Sequence, residues 1–185
     1  MLLVRHSLPK TVPGVPSSQW HLSEKGRLRC KPLAERLAKY APEAVFSSPE
    51  PKATETGRLI ALALEAPLHA VDDLREHDRS NVDFFEAQEE FQATLSKFFE
   101  RPRSLVFGLE TADQAHERVS SALADLIEGY PAQNLAVVSH GTVITLFVAR
   151  ATGLTPLPFW KRLGTPSFVV LSLPKLHLLE VVESV

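Results

Sequence analysis

The sequence predicts an α/β fold, a three-layer α/β/α sandwich with a mostly parallel sheet and an antiparallel edge. Short apolar strands alternate with longer helical segments along most of the chain. Two of these strands, within residues 1–6 and 135–138, run directly into a histidine. The chain then continues with two β-rich runs, at 167–173 and 176–182, which meet at Pro174-Lys175 and predict a hairpin.

The individual elements follow from hydrophobic periodicity and from the residues at their ends. Ser23 and Thr111 are suited to cap helices, and Pro32 is expected to kink the first of them. The five phenylalanines between 81 and 101 fall mostly on one helical face, which predicts a core-packing helix there. Prolines 156 and 158 predict a loop or short turn. The remaining expected elements are strands at 44–46 and 68–71 and helices at 24–40, 51–64, 111–129 and 142–152.

Bulk properties narrow the range of functions. A chain of 185 residues fits one domain, 1–185. Its 20 basic and 22 acidic side chains are spread evenly and offer no face for nucleic acid. Cys30 is the only cysteine, which excludes an internal disulfide and a cysteine-rich zinc site. The few apolar residues before Arg5 are too short for a signal segment, and no apolar run approaches membrane-spanning length. We expect a cytoplasmic protein without a nucleic-acid or membrane partner.

The residues at the strand ends predict phosphoryl-transfer chemistry. Carboxyl ends of parallel strands meet at one crevice, so His6 and His140 are expected in the same pocket. A neutral imidazole is a good nucleophile near pH 7, and the guanidinium fork of Arg5 matches two phosphate oxygens. Lys52, near the start of a helix, would add a further positive charge. The proton donor for the leaving alcohol is expected among the carboxylates of residues 72–78, and spacing alone does not choose among them.

Several common motifs are absent from the sequence. It contains no Walker phosphate loop, no dinucleotide-binding glycine fingerprint and no G-x-S-x-G nucleophile elbow. None of its seven histidines forms an H-x-x-x-H pair, so a metal site has no positive signal.

Five segments together resemble one family. Residues 3–6 (LVRH) resemble the signature of the histidine phosphatase superfamily, the phosphoglycerate mutase-like proteins. Four further segments resemble that family's motifs in the same order: 22–26 (LSEKG), 46–56 (FSSPEPKATET), 74–76 (LRE) and 138–141 (VSHG). The chain is thereby identified as a phosphatase-type member of the family.

The resemblance implies a role for each matching residue. His6 would be the nucleophile that becomes phosphohistidine, and Glu76 would be the proton donor that later assists water. Arg5 and His140 would hold the phosphoryl group, with Ser7 and Lys52 at further phosphate-binding positions. No metal and no cofactor are implied.

Three positions depart from the family pattern. Ser7 stands where the family usually has glycine, and Lys52 stands where it usually has arginine, so the charge is kept and the bidentate fork is lost. Val12 falls about where many members carry an asparagine that contacts the phosphoryl group. We therefore expect a phosphate site that keeps Arg5, His6 and His140 but differs from the family at positions 7, 12 and 52.

The function expected from these features is a metal-independent phosphatase acting on a small phosphomonoester. One alternative is a mutase of the phosphoglycerate mutase type, although the stretch between Glu76 and Thr111 has no room for the extra segments of those enzymes. Another is a regulatory protein that binds a phosphorylated ligand without turnover, which Ser7 and Lys52 favour. The sequence does not decide the oligomeric state, and a homodimer formed through the C-terminal hairpin is one option. Other polar residues, expected at the mouth of the pocket or on the surface, are Lys10, Trp20, His21 and Arg79.

Overall fold

The computed structural model describes residues 1–82, 85 and 87–185, and the strands of these residues form one mixed sheet. The six strands of the described residues are β1 (Leu2–Arg5), β2 (Ala44–Ser47), β3 (Leu68–Ala70), β4 (Leu135–Ser139), β5 (Ser167–Leu171) and β6 (Leu178–Val182). Their order is β3-β2-β4-β1-β5-β6, in which β3, β2, β4 and β1 pair in parallel while β5 and β6 pair antiparallel. The α/β fold with an antiparallel edge is confirmed.

Helices cover both faces of this sheet. Its α-helices in the described part are α1 (Glu24–Leu37), α2 (Pro51–Leu64), α3 (Gln88–Glu100), α4 (Ala112–Gly129), α5 (Gly141–Thr152) and α6 (Pro156–Arg162). None of them is both long and apolar enough to span a bilayer.

The alternation of side chains along each strand divides the core into two layers. On one face, Leu2 and Val4 pack with α1 and α2 through residues such as Leu33 and Ile60. On the other face, Leu3 packs with α3 to α6 in a larger apolar cluster. The strands of the sheet centre are therefore buried on both sides, as parallel strands usually are.

Two elements that contain prolines have other bounds than predicted. Helix α1 runs without interruption from Glu24 to Leu37 with Pro32 inside it, and a short 3-10 turn follows in place of the predicted last turn. The region at Pro156 and Pro158 was expected to be a loop, and it forms helix α6. Both prolines lie in the first turn of that helix, where the missing N–H groups have no helical acceptor to lose.

The phenylalanine-rich helix is shorter than predicted, because α3 begins at Gln88 and not at Asn81. Before it, the carboxylate of Asp78 accepts hydrogen bonds from the backbone N–H and the hydroxyl of Ser80. Such local bonds compete with helical ones and favour a turn. Phe98 is buried against the larger core cluster as expected, whereas Phe84 lies outside the described residues.

Candidate active site

The parallel pairing of β1 with β4 brings the two predicted histidines together. Arg5 lies opposite Ser139 in the register, and the His6 backbone N–H donates to Ser139 O at 3.0 Å. The centroids of the His6 and His140 rings are 5.2 Å apart. His6 is 6% exposed and His140 is 0% exposed, so both imidazoles lie inside the protein at the carboxyl edge of the sheet.

The end of β2 adds hydroxyl and carboxylate groups beside His140. The Ser48 N–H donates to Val138 O at 3.0 Å, which extends the β2–β4 ladder by one residue. Ser48 Oγ then lies 2.8 Å from His140 Nε2, and Glu50 Oε1 lies 3.6 Å from the same nitrogen. His140 is thereby held from the β2 side.

A hydrogen bond to the backbone determines the tautomer of His6. Its Nδ1 lies 2.7 Å from Ser7 O, and since a carbonyl oxygen can only accept, Nδ1 carries the proton. The lone pair of the neutral ring is therefore on Nε2. Ser7 is itself fixed, because its N–H donates to Thr56 Oγ1 and its hydroxyl donates to Gly26 O on α1.

Burial keeps both imidazoles neutral. Loss of solvent contact lowers the pKa of His6 and of His140 well below the usual 6.5, and the positive charges of Lys52 and Arg5 lower the pKa of each further. At pH 7, His6 is thus an unprotonated imidazole, and no separate base is needed to free its lone pair.

Arg5 places its guanidinium directly beneath the start of α5. It donates to Leu163 O and lies 5.6 Å from the centroid of the Trp160 ring. Burial lowers its pKa to about 10, so it stays positively charged at neutral pH. A Cβ atom on Gly141 would come within 2.9 Å of Arg5 Cζ and Nε. A side chain at position 141 would therefore have to displace this guanidinium.

Lys52 is part of the centre, but its ammonium group already has protein partners. Nζ donates to Ser17 O at 2.6 Å and to Glu50 Oε2 at 2.5 Å, with both side chains of the ion pair nearly buried. Burial lowers the pKa of Lys52 and raises that of Glu50, and each charge partly offsets the effect on the other. A phosphoryl group that uses Lys52 has to share it with Glu50.

Glu50 was not among the residues selected from the sequence. Its Oε1 also accepts the Glu76 N–H at 2.8 Å, so it joins Lys52, His140 and the Glu76 loop. The only signal in the sequence is a carboxylate two residues before Lys52, at the position that precedes α2.

Glu76 lies at the N-terminus of α5. Its carboxylate accepts backbone N–H bonds from His77 at 3.0 Å and from Thr142 and Val143 at 3.2 Å. Burial acts to raise the pKa of Glu76, but the charge of Arg79 and these N–H donors outweigh it, and the net shift is downward. Because the net shift is downward, Glu76 is a carboxylate in the free protein.

A cavity of about 240 Å³ opens beside Glu76. Arg79 borders it, with Nε 3.5 Å from Ser17 Oγ and the guanidinium carbon 4.9 Å from the centroid of the Phe91 ring. The lining consists of residues 16–18, 49–50 and 75–80. The other residues expected at the mouth, Lys10, Trp20 and His21, do not line this cavity.

The described residues contain no group of three or more His, Cys, Asp or Glu side chains that could hold a metal ion.

The fold and the site together define a class of α/β protein. Two histidines follow neighbouring parallel strands, and the buried positive charges of Arg5 and Lys52 lie beside them. The model of the histidine phosphatase superfamily (branch 1) matches residues 1–175, so the chain belongs to that family.

Two curated relatives are named as phosphatases. The chain is 22% identical over 135 residues to the uncharacterized phosphatase PhoE of Bacillus subtilis, with 73% of this chain and 66% of that protein covered. It is 30% identical over 138 residues to a metal-independent phosphoserine phosphatase of Arabidopsis thaliana, with 71% and 58% covered. The chain thus spans less than two thirds of the length of these two relatives.

Solved structures with the same fold cover the whole chain. A mycobacterial glucosyl-3-phosphoglycerate phosphatase matches with a TM-score of 0.76 at 20% identity, covering 100% of this chain and 98% of that one. The α-ribazole phosphatase of Shigella flexneri matches with a TM-score of 0.72 at 22% identity, covering 100% and 96%. At these identities the likeness concerns the fold.

Proposed function

We infer that this protein is a metal-independent phosphatase that hydrolyses a small phosphomonoester through a phosphohistidine on His6. The observation that carries the proposal is the buried, neutral His6 ring, whose Nδ1–H is held by Ser7 O while its lone pair stays on Nε2. The phosphatase names of the relatives support the same reaction class.

In the first step, His6 Nε2 attacks phosphorus and the bond from phosphorus to the alcohol oxygen breaks. Arg5 lies beside the nucleophile and is charged at neutral pH, so it is suited to neutralise the phosphoryl oxygens. His140 contributes Nδ1, which is buried and has no hydrogen-bond partner among the described residues. A protonated His140 Nδ1 would donate to the same group.

The leaving alcohol takes its proton from Glu76. In the free protein this carboxylate is ionised, but a bound phosphate dianion is a like charge that raises the pKa of a nearby acid. Glu76 then holds a proton in the substrate complex and donates it as the ester bond breaks. In the second step the same carboxylate takes a proton from water, the water oxygen bonds to phosphorus, and the bond from phosphorus to Nε2 breaks.

The test is turnover of p-nitrophenyl phosphate by the wild type and by His6→Ala. We expect hydrolysis by the wild type and a loss of at least about 1000-fold in His6→Ala, since the nucleophile is removed. His177→Ala is the matched control, because His177 is an exposed histidine on the β5–β6 connection. Turnover by His6→Ala at the wild-type rate would refute the phosphohistidine route.

A phosphate-binding protein without turnover is the second candidate, and the Lys52–Glu50 ion pair favours it because this ion pair engages one cation of the centre. Such a protein would bind phosphorylated ligands and hydrolyse none. A panel of phosphomonoesters separates the candidates, and it includes phosphoserine and glucosyl-3-phosphoglycerate because phosphatases similar to this chain are named for these compounds. Addition of 2,3-bisphosphoglycerate with 3-phosphoglycerate tests the mutase alternative in the same assay.

A further inference from the structure

Arg79 has a buried N–H group for which the described residues provide no acceptor. The group is Nη1, while Nε approaches Ser17 Oγ at 3.5 Å and the guanidinium packs on the ring of Phe91. A buried donor without an acceptor is costly, so such a group usually belongs to a ligand or water site. Packing on Phe91 holds the guanidinium in place before any ligand arrives.

The other charged side chains around the cavity have partners within the protein. Arg75 pairs with Asp72, and the carboxylate of Asp78 accepts two bonds from Ser80. Glu50 is paired with Lys52 and also accepts the Glu76 N–H, and Glu76 accepts three backbone N–H groups. The unpartnered N–H of Arg79 therefore stands out as a cationic donor available to an incoming anion.

The cavity that Arg79 borders lies beside the phosphoryl position and not within it. Glu50 and Glu76 line the cavity, whereas Arg5, His6 and His140 do not. Under the proposed function, the leaving oxygen faces the proton donor Glu76, so the alcohol part of the substrate extends into this space. A volume of about 240 Å³ suits a small group, since pockets for drug-sized ligands start at about 300 Å³.

We propose that Arg79 binds a carboxylate on the alcohol part of the substrate, so that the preferred substrates are phosphomonoesters of small hydroxy acids. The proposal rests on the proposed function, which sets the orientation of the ester. A planar carboxylate matches the guanidinium fork and supplies the acceptor that Nη1 lacks. Arg79 is thus a residue that determines specificity, and its charge also reaches the two histidines of the phosphoryl centre.

The test measures binding in the His6→Ala protein, which cannot be phosphorylated and so does not consume its ligand. O-phosphoserine and O-phosphoethanolamine differ only in the carboxylate, and calorimetry gives the ratio of their dissociation constants. We expect His6→Ala to bind phosphoserine at least about 10-fold more tightly, the range of one charge-assisted hydrogen bond. In His6→Ala with Arg79→Gln the ratio should fall close to one.

Two variants serve as controls. Arg75→Gln removes a cation from the same cavity, but Arg75 is already paired with Asp72, so we expect the wild-type ratio. Arg79→Lys keeps the charge without the fork and should give an intermediate ratio. Thermal unfolding of every variant shows whether the fold is intact.

In the protein that retains His6, the corresponding quantity is the ratio of kcat/KM for phosphoserine to kcat/KM for phosphoethanolamine. Equal binding and equal turnover of the two ligands, or an unchanged ratio in Arg79→Gln, would overturn the proposal. Failure of the proposed function looks different, because then no phosphomonoester, including p-nitrophenyl phosphate, is hydrolysed with dependence on His6. In that case the binding ratio still tests Arg79.

Discussion

At the level of single residues, the position of Arg5 in the site depends on the missing side chain of Gly141. The guanidinium of Arg5 occupies the space where a side chain at position 141 would begin, with 2.9 Å between a hypothetical Cβ and Arg5 Cζ. Gly141 therefore determines where the positive charge sits relative to His6.

Gly141→Ala should move that guanidinium and reduce catalysis. Displacements of about 1 Å in a positioned group cost on the order of 100-fold in rate, so we expect kcat/KM to fall about 10- to 100-fold. Gly129→Ala is the matched control, since a Cβ there meets no atom within 4 Å and the residue also lies in a helix. Steady-state kinetics with p-nitrophenyl phosphate gives both values, and equal activity of the two variants would contradict the steric explanation.

Residues differ in how far the sequence could predict them. His6, Arg5 and His140 follow apolar strands, so pattern and strand polarity suffice to bring them together. Glu50 could not be predicted, because its contact with Lys52 and with the Glu76 loop depends on the path of three separate segments. The sequence also gives no basis for the direction of the Glu76 pKa shift, because the charge of Arg79 and the N–H donors from His77 and α5 reach Glu76 only in the folded chain.

At the level of elements, one arginine on α4 fixes the loop that carries Glu76. Arg118 donates to the backbone carbonyls of Asp73, Arg75 and Glu76 at 2.9 to 3.2 Å and pairs with Glu110 at 2.6 Å. These bonds connect α4 to three backbone carbonyls of the loop that carries Glu76. The position of Glu76 is therefore set by α4 as well as by α5.

Arg118→Ala should both destabilise the protein and lower its activity. Removing one partner of a nearly buried ion pair costs about 3 to 5 kcal/mol, and the loop loses three carbonyl contacts as well. Arg150→Ala breaks an exposed pair with Asp113 on the same helix and should cost about 0 to 1 kcal/mol. Urea unfolding measures the two free energies, and similar losses in both variants would refute a special role for Arg118.

The sequence predicted the elements better than their ends. The capping box at Thr111 and Gln114 is local, so helix α4 was placed correctly. The prediction was wrong about the start of α3, which is Gln88, and about α6, whose Phe159 is buried in the larger core cluster.

At the level of the whole molecule, burying His6 and His140 in neutral form makes stability depend on pH. In the unfolded chain both titrate near 6.5, whereas burial keeps the pKa of each well below that value in the folded protein. Below pH 6.5 the unfolded state therefore binds more protons, and the free energy of unfolding falls as the pH falls.

We expect this loss to begin near pH 6.5 and to continue to about pH 5, before most carboxylates titrate. Each histidine contributes up to about 1.4 kcal/mol per pH unit. Urea unfolding at pH 7.5, 6.0 and 5.2 in phosphate-free buffer measures the slope, and His140→Gln should reduce it. A constant free energy of unfolding between pH 7.5 and 5.2 would exclude buried neutral histidines.

Strand β1 lies at the centre of the sheet, with β4 on one side and β5 on the other. During synthesis on the ribosome, β1 emerges more than 130 residues before β4 and β5, its partners in the sheet. Until then its apolar residues have no neighbours, and contacts so distant in sequence form slowly. Strand β1 is thus made well before it can pair within the sheet, so truncated or stalled chains expose an unpaired apolar strand that favours aggregation.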